Sequence, residues 1–299
     1  MKKILTFLLA GSICFGVVLS GDSVMAAAIQ GKPNLAVLVD GRKIKFQGGD
    51  PFMENGRVQV PLRGVGEALG AKVEFNGAEK KVKYTKGDKS IELTIGSKQA
   101  LVDGQSVAMD TAAKAIKGRT YVPLRFVSEN LGESVSWDQV ANWVWIGSKE
   151  IPNIEDIEVT TTSLDSYKKW LSYGTLDGKK AVRIFTIDDL PLKIGNIIVY
   201  DVWKVTQGTN TGVRIRYSVG DASIFYLTGD SYRKFRTDIE ALKIKNSDGT
   251  ITRTYHTTST YDYYIDNDKN YKKFKLSQVQ YIGITGFTSD YVELLKSPF

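Results

Sequence analysis

One pattern occurs twice in this sequence, and it constrains the fold more than any other feature. Gly56-Arg57-Val58-Gln59-Val60-Pro61-Leu62-Arg63 returns as Gly118-Arg119-Thr120-Tyr121-Val122-Pro123-Leu124-Arg125, 62 residues later. The offset holds onward. Glu67 matches Glu129, Leu69-Gly70 matches Leu131-Gly132, Val73 matches Val135, Phe75 matches Trp137 and Val82 matches Val144. Upstream, Val37-Leu38-Val39-Asp40-Gly41 matches Ala100-Leu101-Val102-Asp103-Gly104. A period of this length marks one supersecondary unit used twice.

Each copy reads in the same order. Asp-Gly between apolar runs predicts a hairpin whose turn residues have positive φ. Alternating Val58 and Val60, like Tyr121 and Val122, predict a strand running into a helix, with Pro61 and Pro123 at the first helical position. Each helix is expected to run about nine residues and to stop at Gly70 or Gly132. Leu62, Val65 and Leu69 share one helical face, as do Leu124, Val127 and Leu131. Two more strands close each unit, at 72–75 and 81–85, then at 134–137 and 143–146. Ile91, Leu93 and Ile95 alternate in an additional strand. The expected architecture is α+β over residues 35–148, an antiparallel sheet with short helices. A single copy of some 50–60 residues has a thin core, so the two are expected to fold as one domain.

The paired V-D-G, G-R-x-x-V-P-L-R and E-x-L-G elements resemble the copper amine oxidase N-terminal domain-like (stalk domain) family. Val135-Ser136-Trp137-Asp138 adds the V-x-W-D of that family, from which the first copy departs at Phe75-Asn76. The resemblance implies a small antiparallel sheet wrapped around a helix, used as an accessory module on the bacterial exterior. It does not bring copper chemistry. Copper(II) in an amine oxidase needs three imidazoles, and this chain has one histidine, His256. The Asn-Tyr-Asp/Glu context of the quinone-forming tyrosine is missing too, because Asn270-Tyr271 is followed by Lys272. No cofactor, metal site or catalytic residue is expected.

The first residues do not belong to the fold. Lys2-Lys3, the apolar run 4–18 and the small residues around Met25 to Ala28 read as a secretory signal peptide over 1–26. Ile13 before Cys14 disfavours a lipoprotein signal. Cys14 is the only cysteine, so removal of the signal leaves no disulfide and no thiolate site. No stable membrane span then remains. The formal charge of +7 is dispersed along the chain. That reads first as solubility alone and second as work near anionic wall polymers, and no nucleic-acid partner is expected. The expected location is secreted or cell-wall associated.

Several local patterns imitate chemistry. Gly64-Val65-Gly66 resembles a dinucleotide fingerprint, but Leu69 stands where the third glycine belongs, so the glycines read instead as a close approach of helix to sheet. Arg63/Glu67 and Arg125/Glu129 stand i,i+4 and read as solvated ion pairs. His256, in a threonine-rich strand, reads as an exposed or edge-strand residue. Asp266 to Asn270 begins like a calcium loop, but Tyr271 and Ser277 replace the glycine and the bidentate glutamate.

After a linker near Ile151-Pro152, residues 160–299 carry 13 of the 15 tyrosines, with Trp170 and Trp203. Ser163 predicts a helix cap, with the helix running to Leu171. Strands are expected at 197–205, 213–219, 223–227, 239–245, 250–257, 281–285 and 291–295, an all-β sandwich-like domain. Three functions follow, in descending order. The first is a non-catalytic structural or binding module of the bacterial surface. The second is a protein that binds cell-wall polymer or polysaccharide on aromatics of the back half, which suit sugar faces. The third is a glycan hydrolase using Asp188-Asp189, Asp201 or Asp230.

One strand stands apart. In Trp143-Val144-Trp145-Ile146 both faces are apolar. Val144 and Ile146 match the inward Val82 and Tyr84, while Trp143 and Trp145 match Lys81 and Lys83. Trp143 and Trp145 are therefore the candidate interface or ligand aromatics, with the back domain as the expected partner. The competing expectation is a central strand buried on both faces.

Overall fold

A computed structural model describes residues 28–171, 176–218, 222–229, 233–236, 238–258, 274–286 and 288–299. Residues 1–26, over which a signal peptide is expected, Asp230 and Asp266 to Asn270 lie outside the described residues. Among the described residues the chain is mostly β, and the front region holds two short α-helices, given below.

The front region contains β1 (Ala36–Val39), β2 (Arg42–Lys43), β3 (Phe52–Glu54), β4 (Arg57–Pro61), α1 (Leu62–Ala68), β5 (Lys72–Asn76), β6 (Lys81–Lys86), β7 (Lys89–Thr94), β8 (Gln99–Val102), β9 (Gln105–Ala108), β10 (Lys114–Ile116), β11 (Arg119–Pro123), α2 (Leu124–Asn130), β12 (Val135–Asp138) and β13 (Trp143–Ile146). The Asp-Gly turns form as their chemistry requires. Asp40 and Gly41, like Asp103 and Gly104, all have positive φ. The helices end on Gly70 and Gly132, also at positive φ. They start later than expected. Pro61 and Pro123 close β4 and β11 with extended ψ angles of 132° and 110°, and each helix has seven residues. Proline's fixed φ suits a strand end as well as a helix start, and ψ decides between them.

The two copies do not stand side by side. They exchange hairpins. The β8–β9 hairpin of the second copy extends the first copy's sheet, in the order β5-β6-β7-β8-β9. The β1–β2 hairpin of the first copy extends the second copy's sheet, in the order β12-β13-β1-β2. Between them β4 and β11 pair antiparallel, Val60 opposite Val122, in the order β10-β11-β4-β3. One strand breaks the symmetry. β7 lies between β6 and β8, whereas β1 pairs directly with β13 and parallel to it. A single apolar cluster takes side chains from both copies, including Val65, Val82 and Tyr84 with Val127, Val144 and Ile146.

The two helices approach the sheets differently. A Cβ on Gly66 would lie 2.5 Å from Val73 and 2.6 Å from the Tyr84 ring, and one on Gly64 would lie 2.4 Å from Phe46. The glycines thus allow the close packing expected of them. Tyr84 fixes the approach, its hydroxyl donating to the Leu62 carbonyl at 2.7 Å. The second copy carries Phe126 and Ser128 at the matching positions.

The back region contains β14 (Thr160–Thr162), β15 (Val182–Phe185), β16 (Leu192–Ile194), β17 (Ile197–Gln207), β18 (Asn210–Tyr217), β19 (Ile224–Leu227), β20 (Arg233–Arg236), β21 (Ile244–Lys245), β22 (Ile251–His256), β23 (Tyr281–Ile284) and β24 (Val292–Lys296). They form two sheets, β14-β15-β24-β23-β19-β20 and β16-β17-β18-β22-β21. Both feed one apolar cluster, Phe185, Ile224 and Ile282 from the first and Val199, Ile215 and Tyr255 from the second. The β15–β24 pair is parallel, so the first sheet is mixed. Two expectations fail locally. The segment from Ser163 is a 3-10 turn, Leu164–Tyr167, with Ser163 Oγ accepting from Asp165 N at 3.2 Å. The strand expected at 239–245 is a 3-10 turn, Glu240–Leu242, followed by the two residues of β21.

Candidate functional site

Trp143 and Trp145 lie on the face of β13 turned away from the front core, while Val144 and Ile146 enter that core. Both tryptophans are buried, at 0% and 5% exposure, with their ring centroids 6.0 Å apart. They cluster with Leu38 and Ala141 of the front region, and Ile151 and Tyr200 pack against them. Tyr200 belongs to β17, so this face forms a seam with the back region.

A bulge in β17 prepares the other side of the seam. The pairing of β17 with β18 skips between Val199 and Asp201. Val199 and Val202 both enter the back core. The residue inserted between them resets the alternation, and both Tyr200 and Asp201 are turned towards the front region. Asp201 accepts from Lys43 Nζ at 3.2 Å, and Lys43 also donates to the Ile187 carbonyl at 3.0 Å. Lys43 Nζ sits 4.7 Å from the Trp143 ring centroid. Burial pushes the Asp201 carboxyl above the usual carboxylate range, even against the charge and hydrogen bond of Lys43.

The second tie is Arg216, 1% exposed. Its guanidinium reaches Asp138 of β12 at 3.0 Å, Thr250 Oγ1 at 2.9 Å and Asp248, and it stacks 4.5 Å from the Tyr200 centroid. Burial raises the Asp248 carboxyl, but hydrogen bonds from Thr250 and the Arg216 charge bring it below its ordinary value. Backbone fit closes the seam further. A Cβ on Gly41 would stand 1.9 Å from the Glu150 carbonyl oxygen.

An open groove lies on the far side of β12. It has a volume of about 540 Å³, with Met53, Phe126, Val135 and Trp137 among its apolar walls. Met53 and Trp137 are exposed, at 47% and 38%. Two ion pairs stand at its rim, Arg57 with Asp110 at 2.7 Å and Arg125 with Glu129 at 3.8 Å. The second of these is the solvated i,i+4 pair expected from the sequence. β12 is an edge strand, so the backbone beside the groove has no strand partner on that side among the described residues. Sequence reading missed this groove, because five separate stretches of chain build it. Its one local signal was Trp137, an indole at the position of Phe75, which is itself exposed at 46%.

The other candidates resolve as follows. Most described aromatics of the back half are withdrawn from solvent, with Tyr200, Tyr281 and Tyr291 half-buried, while Tyr173, Tyr232, Tyr261, Tyr263, Tyr264 and Tyr271 lie outside the described residues. Tyr167, Trp170, Trp203, Tyr217, Tyr226 and Tyr255 are all buried. His256 is buried, at 5%, and neither exposed nor on an edge strand, since β22 runs between β18 and β21. Burial and the nearby Arg214 charge hold its imidazole below the ordinary value. Asp189 caps its own turn by accepting from Thr186 N and Oγ1 at 2.7 Å. Asp188 faces Lys45 at 3.1 Å, and Asp201 is held in the seam. Among the described residues no three His, Cys, Asp or Glu side chains gather as metal ligands, and the residues do not fit a copper centre. No helix among them is long and apolar enough to cross a membrane.

The exchanged hairpins, the paired proline strands and the two glycine-stopped helices occupy one continuous stretch, and residues 38–146 match a known family over that stretch. These residues are a copper amine oxidase N-terminal domain. The domain carries the groove and one side of the seam. Residues beyond 146 lie outside the match. No curated protein matches the chain.

Proposed function

We propose that this protein is a non-catalytic binding module of the bacterial exterior. In this reading the copper amine oxidase N-terminal domain, residues 35–148, is one folding unit of two interlocked repeats. It is held rigidly to a sandwich-like domain, 160–299, and presents the groove beside Trp137 to a ligand. The leader at 1–26 directs the chain out of the cell.

The observation that carries the reading is the groove itself. An exposed indole and an exposed methionine stand over an apolar floor, with paired charges only at the rim. Large apolar side chains left open beside polar groups are the usual mark of a recognition surface. The carboxylates considered for hydrolysis support the non-catalytic part. Asp189 and Asp201 are occupied as a turn cap and a seam partner, and neither lines the groove.

The test is co-sedimentation of the mature protein with purified bacterial cell wall and with insoluble polysaccharides. Binding is expected, and Trp137→Ala should weaken it while leaving the circular dichroism spectrum unchanged. Turnover of a glycan panel, or peroxide release from amines, would overturn the non-catalytic assignment.

A further inference from the structure

Trp137 borders two clefts. One is the groove just described. The other, about 460 Å³, opens over the seam, where Trp145 and Lys149 of the front region face Tyr200, Arg216 and Asp248 of the back region. The groove lies on the face of the β12–β13 pair that carries Trp137 and Val144, the seam cleft lies on the opposite face with Trp145, and Trp137 on the edge strand β12 lines both. We propose that they form one trough for a neutral glycan chain, long enough to run from the groove across Trp137 into the seam cleft. The inference rests on the groove being the binding site and names the class of its ligand.

Charge decides the class. The groove is lined by Arg57, Arg125, Asp110 and Glu129, two cations and two anions in ion pairs. The seam cleft repeats the balance, with Lys149 and Arg216 against Asp138 and Asp248. Arg216 is already committed to both of those carboxylates. A polyanion needs unpaired cations, and only Lys149 offers one in this lining. A sugar hydroxyl donates one hydrogen bond and accepts others. A guanidinium beside a carboxylate offers both partners at once. The open face of Trp137, with Met53 nearby, suits the C–H face of a pyranose ring.

The shared wall decides the length. A ligand confined to the groove would touch only the front region. A chain passing Trp137 also meets Tyr200, which the β17 bulge turns towards the front region and which stays half-buried at the seam cleft. The seam then has a second role, since it aligns the two clefts.

The test is calorimetric titration of the full chain with neutral hexose and N-acetylhexosamine oligomers of two to eight units, alongside polyphosphate and an extended apolar peptide. Affinity should rise by about tenfold or more from the shortest to the longest oligomer of one series. Added salt should change it little. Trp137→Ala should abolish binding of every oligomer. Tyr200→Ala should weaken only the long ones, and a circular dichroism melt of each variant verifies folding. Affinity independent of length would overturn the trough. Trp137-dependent binding of polyphosphate or the peptide, with none of the oligomers, would overturn the glycan class and leave the binding module standing. If no probe and no cell wall bind in a Trp137-dependent way, both readings fall together.

Discussion

The two repeats share one fold and differ in what their sheets turn outward. In the first copy, Lys81 and Lys83 project from β6 into solvent, and Lys81 pairs with Glu79 and Glu92. In the second, Trp143 and Trp145 take those positions and are buried under Tyr200 and Ile151. The inward residues barely change, Val82 and Tyr84 against Val144 and Ile146. The front core therefore does not determine the outer face. A sheet of this design accepts lysine or tryptophan there, depending on whether water or a second region covers it. The helices show the same freedom. α1 leaves room for Phe46 and Tyr84 with two glycines, while α2 fills its own space with Phe126.

The strongest way to break this comparison is to make the copies alike. Trp143→Lys with Trp145→Lys should cost about 6 kcal/mol or more, on the scale of two large buried side chains. The two regions should uncouple, so that one unfolding transition becomes two, and a fragment spanning 28–150 with the same changes should keep its β-sheet spectrum. If that fragment unfolds, the indoles belong to the front core and the two faces are not interchangeable.

Next comes the charged tie. Lys43→Ala leaves the Asp201 carboxylate buried without its cation and should cost about 3–5 kcal/mol in urea titration. Lys43→Met combined with Asp201→Leu should recover most of that loss. A loss in the double variant equal to the sum of the losses from Lys43→Met and Asp201→Leu alone would show that the pair does not couple.

The helix comparison predicts a smaller, asymmetric effect. Gly66→Val should destabilise by about 1–3 kcal/mol, since its side chain enters the space of Val73 and Tyr84. The matching Ser128→Ala should be neutral or stabilising, because Ser128 Oγ is buried without a hydrogen bond. Denaturation midpoints that move equally would contradict the different packing of the two helices.

The smallest effect separates the regions by pH. The His256 imidazole is held below its ordinary value by burial and by Arg214. Below about pH 6.5 the unfolded chain binds a proton that the folded protein resists, so stability is lost as pH falls through that value. His256→Gln should flatten the melting temperature of the back region between pH 7 and 5. The 28–150 fragment has no histidine and should show no histidine-linked change in this comparison.

What was legible in the sequence was local. Asp-Gly pairs predicted their turns because positive φ is a property of a few residues. The glycines of α1 predicted close packing for a similar reason. Partners in space were not legible. Nothing in Val37 to Gly41 reveals that this hairpin completes the other copy, because strand exchange depends on how the whole ring of sheets closes. Nor does β17 reveal its bulge, since Ile197-Ile198-Val199-Tyr200 is apolar throughout and offers no alternation whose break could mark it. Composition does not report burial, so the sequence could not tell that Tyr167, Tyr217, Tyr226 and Tyr255 of the back half are core residues. The groove escaped because Met53, Asp110 and Trp137 are far apart in the chain.

The exchange of hairpins also has a mechanical consequence. β1 enters the front region and β13 leaves it, and the two lie side by side and parallel, Ala36 opposite Trp143 and Val39 opposite Ile146. Tension applied between the start of β1 and the end of β13 would pull the neighbouring strands along their length in opposite directions. It would load their hydrogen bonds in shear together, rather than peel them open one at a time. A pair of terminal strands arranged in this way acts as a clamp. Single-molecule extension from residues 35 and 147 should therefore meet a single high rupture force. Extension from residues 91 and 102, at the open end of the antiparallel β7–β8 hairpin, should peel its hydrogen bonds one at a time and open at much lower force.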